Sequence, residues 1–285
     1  MSGAARFILC ADDFAMSAGI SDGILALAEA GRLSATSAMV NMPRWAEDAP
    51  KALALRDRIA LGLHLNLTFG APLGPMPQLA PNGELPPVNK LIDRGTSRML
   101  GMAELEGEIA RQIDRFETVA GVPPDFIDGH HHVHVLPGVR TAVLAVLARR
   151  FPQGGPLLRD PSDRVSAIVN RAASTKALAV AALAFGFRHA AETAGFATNR
   201  GFSGFSVFGP VPYADEFETF LRQPGPRPMI MCHPGLADLS LGDRDEIAAR
   251  RPGEHAYLAA RPGLPDILWR VSQRDAAGFP WREAG

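Results

Sequence analysis

Aspartate and histidine side chains follow short apolar runs at four separate places in the chain of 285 residues. Apolar runs of this length predict buried β-strands. Because the carboxyl ends of parallel strands meet at one rim, where α/β folds form their ligand sites, we expect the four places to share one site. The segments read FILCADDF, GLHLNL, DFIDGHHHVHVLPG and MIMCHPG, and they contain Asp12, Asp13, His64, Asp128, His130, His131, His132, His134 and His233.

These residue types suit a catalytic metal site. One carboxylate and two imidazoles supply the three protein ligands of a catalytic zinc ion, which keeps a further position open for water. The same donors also suit other divalent transition metals. Neighbouring side chains of an extended chain point in different directions, so one member of the Asp12–Asp13 pair can bind the ion while the other acts as a base.

Each segment also has a purely structural interpretation. Two adjacent aspartates after a strand often cap a helix, and Ser17 could equally cap the helix that follows. A single histidine such as His64 is more often a packed, hydrogen-bonded residue than a ligand. The 130–134 run could be a solvated loop, although natural histidine clusters favour metal. The coincidence of all these segments at strand ends favours the metal site.

The elements that must position these residues alternate between short β-like runs and helical stretches, which predicts a mostly parallel sheet covered by helices. Apolar residues at helical spacing predict helices at Ile20–Ala30, Ala103–Ala120 and Val139–Arg150. Strands are predicted at Phe7–Ala11, Thr36–Asn41, Ile59–Leu67, Phe126–Ile127 running towards His134, Pro156–Arg159, Phe205–Phe208 and Met229–Cys232.

Two stretches carry little periodicity. Phe69–Pro87 is dense in proline and glycine, and we expect a long loop at one end of the sheet, of the kind that is often functional. Ala194–Gly204 is predicted to be a second irregular connection. No internal repeat or linker divides the chain, so residues 1–285 are predicted to form a single domain.

The longest later apolar run is Ala177–Phe187, ALAVAALAFGF. A bilayer-spanning helix needs about 20 apolar residues, so this run is too short to cross a membrane. We expect it to form a buried core helix, and a homodimer contact is the alternative.

The amino-acid composition limits the classes of binding partner and the cellular compartment that we expect. The net charge is −1, from 29 basic and 30 acidic side chains. This balance does not indicate the excess of positive charge that binds nucleic acid or a membrane surface. The two cysteines, Cys10 and Cys232, lie in apolar runs, which predicts buried thiols rather than a disulfide and fits a reducing compartment. The N-terminal apolar run is too short for a signal peptide, so we expect a cytoplasmic protein.

Four motifs in this order and spacing, ADDF, GLHLNLT, DGHHHVHVLP and HPG, resemble those of the YdjC-like (ChbG-type) carbohydrate deacetylases. The resemblance extends from Phe7 to about Gly235. The resemblance implies an α/β fold, namely a distorted or incomplete (β/α) TIM-like barrel. It also implies an enzyme that removes acetyl groups from oligosaccharides containing N-acetylglucosamine. One departure is Ala15, where the family usually has glycine.

The resemblance also implies roles for individual residues. It assigns Asp13, His64 and His130 as metal ligands, Asp12 as the base and His233 as a candidate acid. Four further residues are predicted to contact the substrate or to orient the ligands, and these are Arg159, His132, His134 and Asp128. Arg159 lies at the end of its own predicted strand, and from that position it could bind a sugar hydroxyl or pair with residues around Asp160. His132 and His134 could instead simply pack beside the loop.

The predicted function is therefore metal-dependent removal of acetyl groups from an N-acetylated sugar, with the acetylated sugar as a small-molecule partner. One divalent metal ion is expected as cofactor, zinc by ligand softness, with magnesium, cobalt and nickel as alternatives. Alternative functions are hydrolysis of another amide or an ester by the same metal, or metal-stabilised sugar binding without turnover. The paired aspartates argue against binding alone, because binding needs only the ligand Asp13.

Overall fold

The computed structural model describes residues 6–209 and 211–271, and the architecture in these ranges is a parallel sheet wrapped by helices. The strands are β1 Ile8–Phe14, β2 Ala35–Ala38, β3 Ala60–Leu65, β4 Phe126–Gly129, β5 Leu157–Leu158, β6 Phe202–Ser203 and β7 Met229–Cys232. The helices are α1 Ala18–Glu29, α2 Trp45–Leu53, α3 Val88–Thr96, α4 Met102–Ala120, α5 Val139–Arg150, α6 Val165–Ile168, α7 Ser174–Leu183, α8 Phe187–Thr193, α9 Tyr213–Phe220, α10 Arg251–Ala260 and α11 Leu264–Ile267. Two short 3-10 helices span His130–Val135 and Gly242–Arg244.

The sheet is an incomplete barrel, as predicted. Its strands run in the order β5-β4-β3-β2-β1-β7-β6, and every neighbouring pair is parallel. The two edges come together through one isolated parallel bridge between Leu158 of β5 and Thr198, which precedes β6. The sheet therefore curls into a half-barrel, and the carboxyl ends of its strands form one rim.

Side chains on the two faces of the strands form two apolar clusters. Alternate residues pack outward against the helices, and the others fill the interior of the barrel. Phe126 is fully buried in this interior and lies against Gly62 of β3, where an added Cβ would come within 2.5 Å of the phenyl ring. A glycine at position 62 thus lets the aromatic ring fill the barrel between neighbouring strands.

Several local sequence signals are confirmed. The Ser17 side chain accepts the Ile20 backbone N–H and caps α1, so the cap comes from serine rather than from the aspartate pair. The helix α4 ends at Gly121, whose φ of 69° places it in the left-handed region that favours glycine. Helix α5 has the predicted bounds.

The strand predicted at Phe205–Phe208 is wrong. The chain pairs with β7 only at Phe202–Ser203 and then leaves the sheet at Gly204, whose φ is 108° and where a Cβ would lie 2.1 Å from a backbone oxygen of β7. The following backbone is held by Glu216 of α9, which accepts bonds from the Ser206 hydroxyl and the Val207 N–H.

The buried helix predicted for Ala177–Phe187 is also wrong. Only Ala177 of α7 is buried, and Phe185 is 84% exposed. Gly186, with φ of 80°, breaks the run and starts α8 at the buried Phe187. Across the described ranges no helix is long and apolar enough to cross a bilayer.

The stretch Phe69–Pro87 is a loop without helix or strand, as predicted. It packs on α4, where Glu108 accepts the Leu73 N–H and Glu104 accepts the Leu79 N–H. Both cysteines are buried free thiols, which was also predicted.

Candidate metal centre and active site

The two aspartates lie at the carboxyl end of β1, where the strand is irregular. Its register with β2 shifts between Ala11 and Phe14, and Asp13 has a φ of 69°. Left-handed backbone is uncommon outside glycine but is tolerated by aspartate. The irregularity gives the two buried carboxylates different partners, Arg159 for Asp12 and the histidines for Asp13.

Asp13, His64 and His130 converge at the rim. The Asp13 Oδ1 atom lies 3.0 Å from His130 Nδ1 and 3.3 Å from His64 Nε2, and one donor atom from each residue falls within 4.8 Å of the others. All three side chains are buried. The donor set and its convergence fit a divalent ion with three protein ligands, and these are the three residues that the sequence motifs pointed to.

His64 is oriented from behind by Asp128 on β4. Its Nδ1 donates to Asp128 Oδ1 at 2.7 Å, and the Ser37 hydroxyl donates to Asp128 Oδ2 at 3.0 Å. A carboxylate that holds one imidazole nitrogen leaves the other free to bind a metal. Burial lowers the pKa of His64, but the charges of Asp128 and Asp12 outweigh it and raise the pKa to about 10. An ion bound at Nε2 would therefore have to displace a proton.

Asp12 is held by Arg159, which follows β5. The guanidinium makes two hydrogen bonds to the carboxylate, at 2.7 Å and 2.9 Å, and lies 2.7 Å from Asp128 Oδ2. Arg159 is fully buried, and the contact to a sugar hydroxyl stays a prediction. Its guanidinium neutralises the carboxylates of Asp12 and Asp128. These contacts agree with the other predicted role of Arg159, which is to orient residues of the site.

A second group, Cys10, Asp12 and Asp128, also has donor atoms within 4.8 Å of one another. Arg159 already supplies a cation to both of its carboxylates. Burial raises the pKa of the Cys10 thiol well above its usual value, so it does not offer a thiolate. The chemistry of this group is therefore that of an ion pair.

His132 and His134 are buried away from the convergence of donors. The His132 ring packs against Phe202 and Phe205, with centroids 5.9 and 5.2 Å apart, and burial lowers its pKa well below the usual value. His134 Nε2 donates to the Arg159 carbonyl oxygen at 2.6 Å. His132 therefore packs against aromatic side chains, as the structural alternative predicted. His134 instead holds the backbone of Arg159 through a hydrogen bond.

His233 follows β7 and is partly buried. Its backbone N–H donates to Glu254 Oε2 at 2.7 Å, and its ring meets Phe208 edge-on with centroids 6.0 Å apart. Burial lowers the pKa of His233 to about 4, although the charges of Asp13 and Asp12 oppose the shift. The imidazole is therefore neutral near pH 7 before a substrate binds.

Two residues at the centre were not assigned a role from the sequence. His131 is exposed, has a φ of 52°, stacks on His130 with centroids 3.9 Å apart and is bonded to Thr68 through Nδ1 at 3.0 Å. In the sequence, only the position of His131 inside the histidine run indicated that it could belong to the site. Arg251 of α10 donates to Asp13 Oδ2 at 2.8 Å, and because 238 residues separate the partners, no local pattern could have found it.

Comparison with known proteins gives both a family and a fold. The family model described as YdjC-like protein matches residues 6–262. A solved structure from Enterococcus faecalis V583, provisionally assigned to cellobiose-phosphate cleavage, superposes with a TM-score of 0.68 at 21% identity and covers 92% of this chain and 93% of that one. At 21% identity this structural similarity is evidence for the fold alone, and it agrees with the incomplete barrel described above.

Curated relatives share higher identity over part of their length. A chitooligosaccharide deacetylase of Serratia marcescens is 40% identical over 160 residues, which are 55% of this chain and 60% of that protein. One from Enterobacter sp. (strain 638) is 36% identical over 147 residues, or 50% and 56% of the two chains. One from Yersinia pestis (strain Pestoides F) is 39% identical over 139 residues, or 48% and 54%. The chain thus spans somewhat more than half the length of these relatives.

Proposed function

The chain belongs to the YdjC-like family, and on this premise we propose that it is a metal-dependent hydrolase that removes the acetyl group from an N-acetylated sugar. The curated relatives named chitooligosaccharide deacetylases support a substrate built from N-acetylglucosamine. The divalent ion and the sugar predicted from the sequence, together with water, suffice for this reaction.

One observation carries the proposal. Asp13, His64 and His130 bring their donor atoms together beside a second aspartate that is not part of the group. The second aspartate, Asp12, is held in place by two hydrogen bonds to Arg159. Sugar binding alone would have no use for a buried carboxylate fixed next to three metal donors.

The fit of the donors to a metal rests on their chemistry. His64 presents Nε2 because Asp128 occupies Nδ1, and His130 presents Nδ1 towards the same Asp13 oxygen. A divalent ion held there would lower the pKa of water and polarise the acetyl carbonyl. Imidazole-rich ligation favours zinc, cobalt or nickel over magnesium.

Asp12 is the proposed base. Its carboxylate accepts the proton of the water that attacks the acetyl carbon, because an ionised carboxylate keeps acceptor sites besides those bonded to Arg159. The bidentate grip of Arg159 fixes the direction in which the remaining lone pairs point. The attack forms a carbon–oxygen bond, and the carbon–nitrogen bond of the acetamide then breaks.

His233 is the proposed donor to the departing nitrogen. Burial keeps its imidazole neutral near pH 7, so in this proposal it gains a proton during the reaction rather than beforehand. In this proposal the proton that Asp12 takes from the attacking water passes to the His233 imidazole, which gives it to the nitrogen as the carbon–nitrogen bond breaks. Both side chains thereby return to their starting protonation states, and no net proton is taken up. Acetate and the free amino sugar leave.

The test is acetate release from a panel of N-acetylglucosamine oligosaccharides by purified protein, with metal content measured on the same samples. We expect His64→Ala to lose the metal and the activity together. His189→Ala is the matched control, because His189 is exposed on α8, and it should keep both. If wild-type protein carried a divalent ion but released no acetate from any substrate of the panel, the proposed activity would be wrong.

A further inference from the structure

Arg251 is a buried arginine at the start of α10, and it reaches the candidate metal centre from outside the barrel. Its Nη2 donates to Asp13 Oδ2 at 2.8 Å. Asp245 holds the same guanidinium, with Oδ2 accepting from Nε at 2.7 Å and Oδ1 accepting from Nη2 at 3.1 Å. Arg251 is thus clamped between a site carboxylate and a carboxylate of the preceding segment.

The two oxygens of Asp13 consequently have different surroundings. Oδ1 faces the nitrogens of His64 and His130, at 3.3 and 3.0 Å. Oδ2 faces a guanidinium, which carries a permanent positive charge. A metal cation drawn to Oδ2 would meet that charge and would compete for an oxygen that already accepts a strong hydrogen bond.

The different surroundings of the two Asp13 oxygens affect how many coordination positions of a bound ion the protein would occupy. A catalytic ion needs an open position for water, and a carboxylate that binds through both oxygens occupies two positions instead of one. We infer that Arg251 is a positioning residue that restricts Asp13 to ligation through Oδ1 and thereby keeps a coordination position free for water. The inference rests on the proposed metal-dependent function, and it assigns Arg251 a task within that site.

A purely structural role for Arg251 fits the contacts less well. Its Nη1 is buried without a hydrogen-bond partner among the residues that the structure describes. Most buried polar side-chain atoms in proteins have a hydrogen-bond partner, so an unpaired buried donor calls for an explanation. The two strongest contacts of this guanidinium are directed at Asp13 and at the residue that steadies it, Asp245.

Cobalt substitution tests the inference with a readout that does not depend on activity. Cobalt absorbs visible light more strongly in four-coordinate than in higher-coordinate sites. We expect Arg251→Gln to bind one cobalt ion at least as tightly as wild type, because Asp13 gains a second free oxygen, but with a weaker visible band. Deacetylation should fall by about 10–100-fold, the usual effect of removing a partner of a metal ligand.

Two further variants keep the result decisive. Arg251→Lys retains the charge and should restore part of the visible band, even if Arg251→Gln folds poorly. Arg44→Gln removes an arginine from the buried Asp48 on α2, away from the site, and should leave the band unchanged. It controls for the loss of an arginine beside a buried carboxylate.

The outcomes separate this inference from the proposed function. If wild-type protein bound no cobalt, the metal site itself would be wrong and the inference would fall with it. If wild type bound cobalt and Arg251→Gln kept the wild-type band, only the inference would be overturned. Weaker cobalt binding by a folded Arg251→Gln would also overturn it, because that result indicates an arginine that merely supports the fold.

Discussion

The two halves of the chain build the candidate site in different ways. Residues 8–135, the ligand half, supply Asp13, His64 and His130 from strands of four to seven residues or from the turn directly after one. Residues 157–271, the cation half, supply Arg159 from the segment directly after β5 and Arg251 from the first residue of α10, and the strands β5 and β6 have only two residues each. The candidate metal donors therefore lie at the carboxyl end of a strand or directly after one, whereas the two arginines that contact the carboxylates follow a two-residue strand or begin a helix.

This difference indicates what each half contributes to the candidate site. The ligand half concentrates carboxylates and imidazoles at one rim, which would be costly to bury without positive charge. Arg159 compensates Asp12 and Asp128, and Arg251 compensates Asp13. We conclude that the ligand half provides the donors and that the cation half allows them to remain ionised inside the protein.

The largest expected effect concerns the base. Asp12→Asn should keep the metal but lower turnover by about 10²–10⁴-fold, because an amide cannot accept the proton of water. Metal analysis together with acetate release distinguishes the two properties. If the variant lost its metal while Asp13→Asn kept it, the roles of the two aspartates would be reversed.

Removing the central cation should cost stability. Arg159→Met leaves Asp12 and Asp128 buried without their partner, and breaking a buried pair in this way costs about 3–5 kcal/mol. Urea unfolding of metal-free protein measures the change. Arg44→Met is the control, because Lys51 still neutralises Asp48 and a smaller loss is expected. A loss for Arg159→Met near the ordinary value of about 1 kcal/mol would show that the two halves are not coupled by charge.

The pH dependence should differ between the metal-free and the loaded protein. Because His64 has a folded pKa of about 10 against an ordinary value of 6.5, its proton stabilises the metal-free fold fully below pH 6.5, and this contribution is lost as the pH rises through about 10. Metal binding displaces the same proton, so affinity should rise about tenfold per pH unit between pH 7 and 9. Calorimetric titration in buffers of different ionisation enthalpy would measure the released proton. An affinity that did not change over this range would contradict a protonated His64.

Much of the ligand half could be predicted from the sequence, and less of the cation half. Strand, turn and ligand lie within a few residues of one another in ADDF and in DGHHH, so their spacing carries the prediction. Arg159 lies 147 residues from Asp12 in the chain, and its position at a predicted strand end did not indicate that it pairs with that aspartate. The metal ligands among these residues remain a prediction until an ion is measured.

The same limit explains the errors outside the site. Apolar content predicted burial for Ala177–Phe187, but the glycine at 186 ends the run and α7 lies on the surface. Phe205–Phe208 has strand composition, but the pairing with β7 ends before Gly204, whose φ of 108° turns the chain out of the sheet. In both cases a glycine with positive φ lies where the predicted element ends, and apolar composition does not encode that backbone conformation.

The smallest expected effect is at the exposed face of the cation half. Phe185→Asp should change the free energy of unfolding by no more than about 0.5 kcal/mol, because the side chain is 84% exposed. The homodimer stays a prediction, and light scattering of both proteins tests it. A dimeric wild type and a monomeric variant would place the contact at Phe185, whereas a monomeric wild type would remove the idea.

The central claim is that one divalent ion, held by Asp13, His64 and His130, makes the site a sugar deacetylase. The most direct measurement is a zinc titration of metal-free protein while acetate release from an N-acetylglucosamine oligosaccharide is followed. We predict that activity rises linearly and reaches its plateau at one equivalent of zinc, and that His64→Ala shows no such rise. Full activity in the metal-free protein, or a plateau that His64→Ala shares, would contradict the claim.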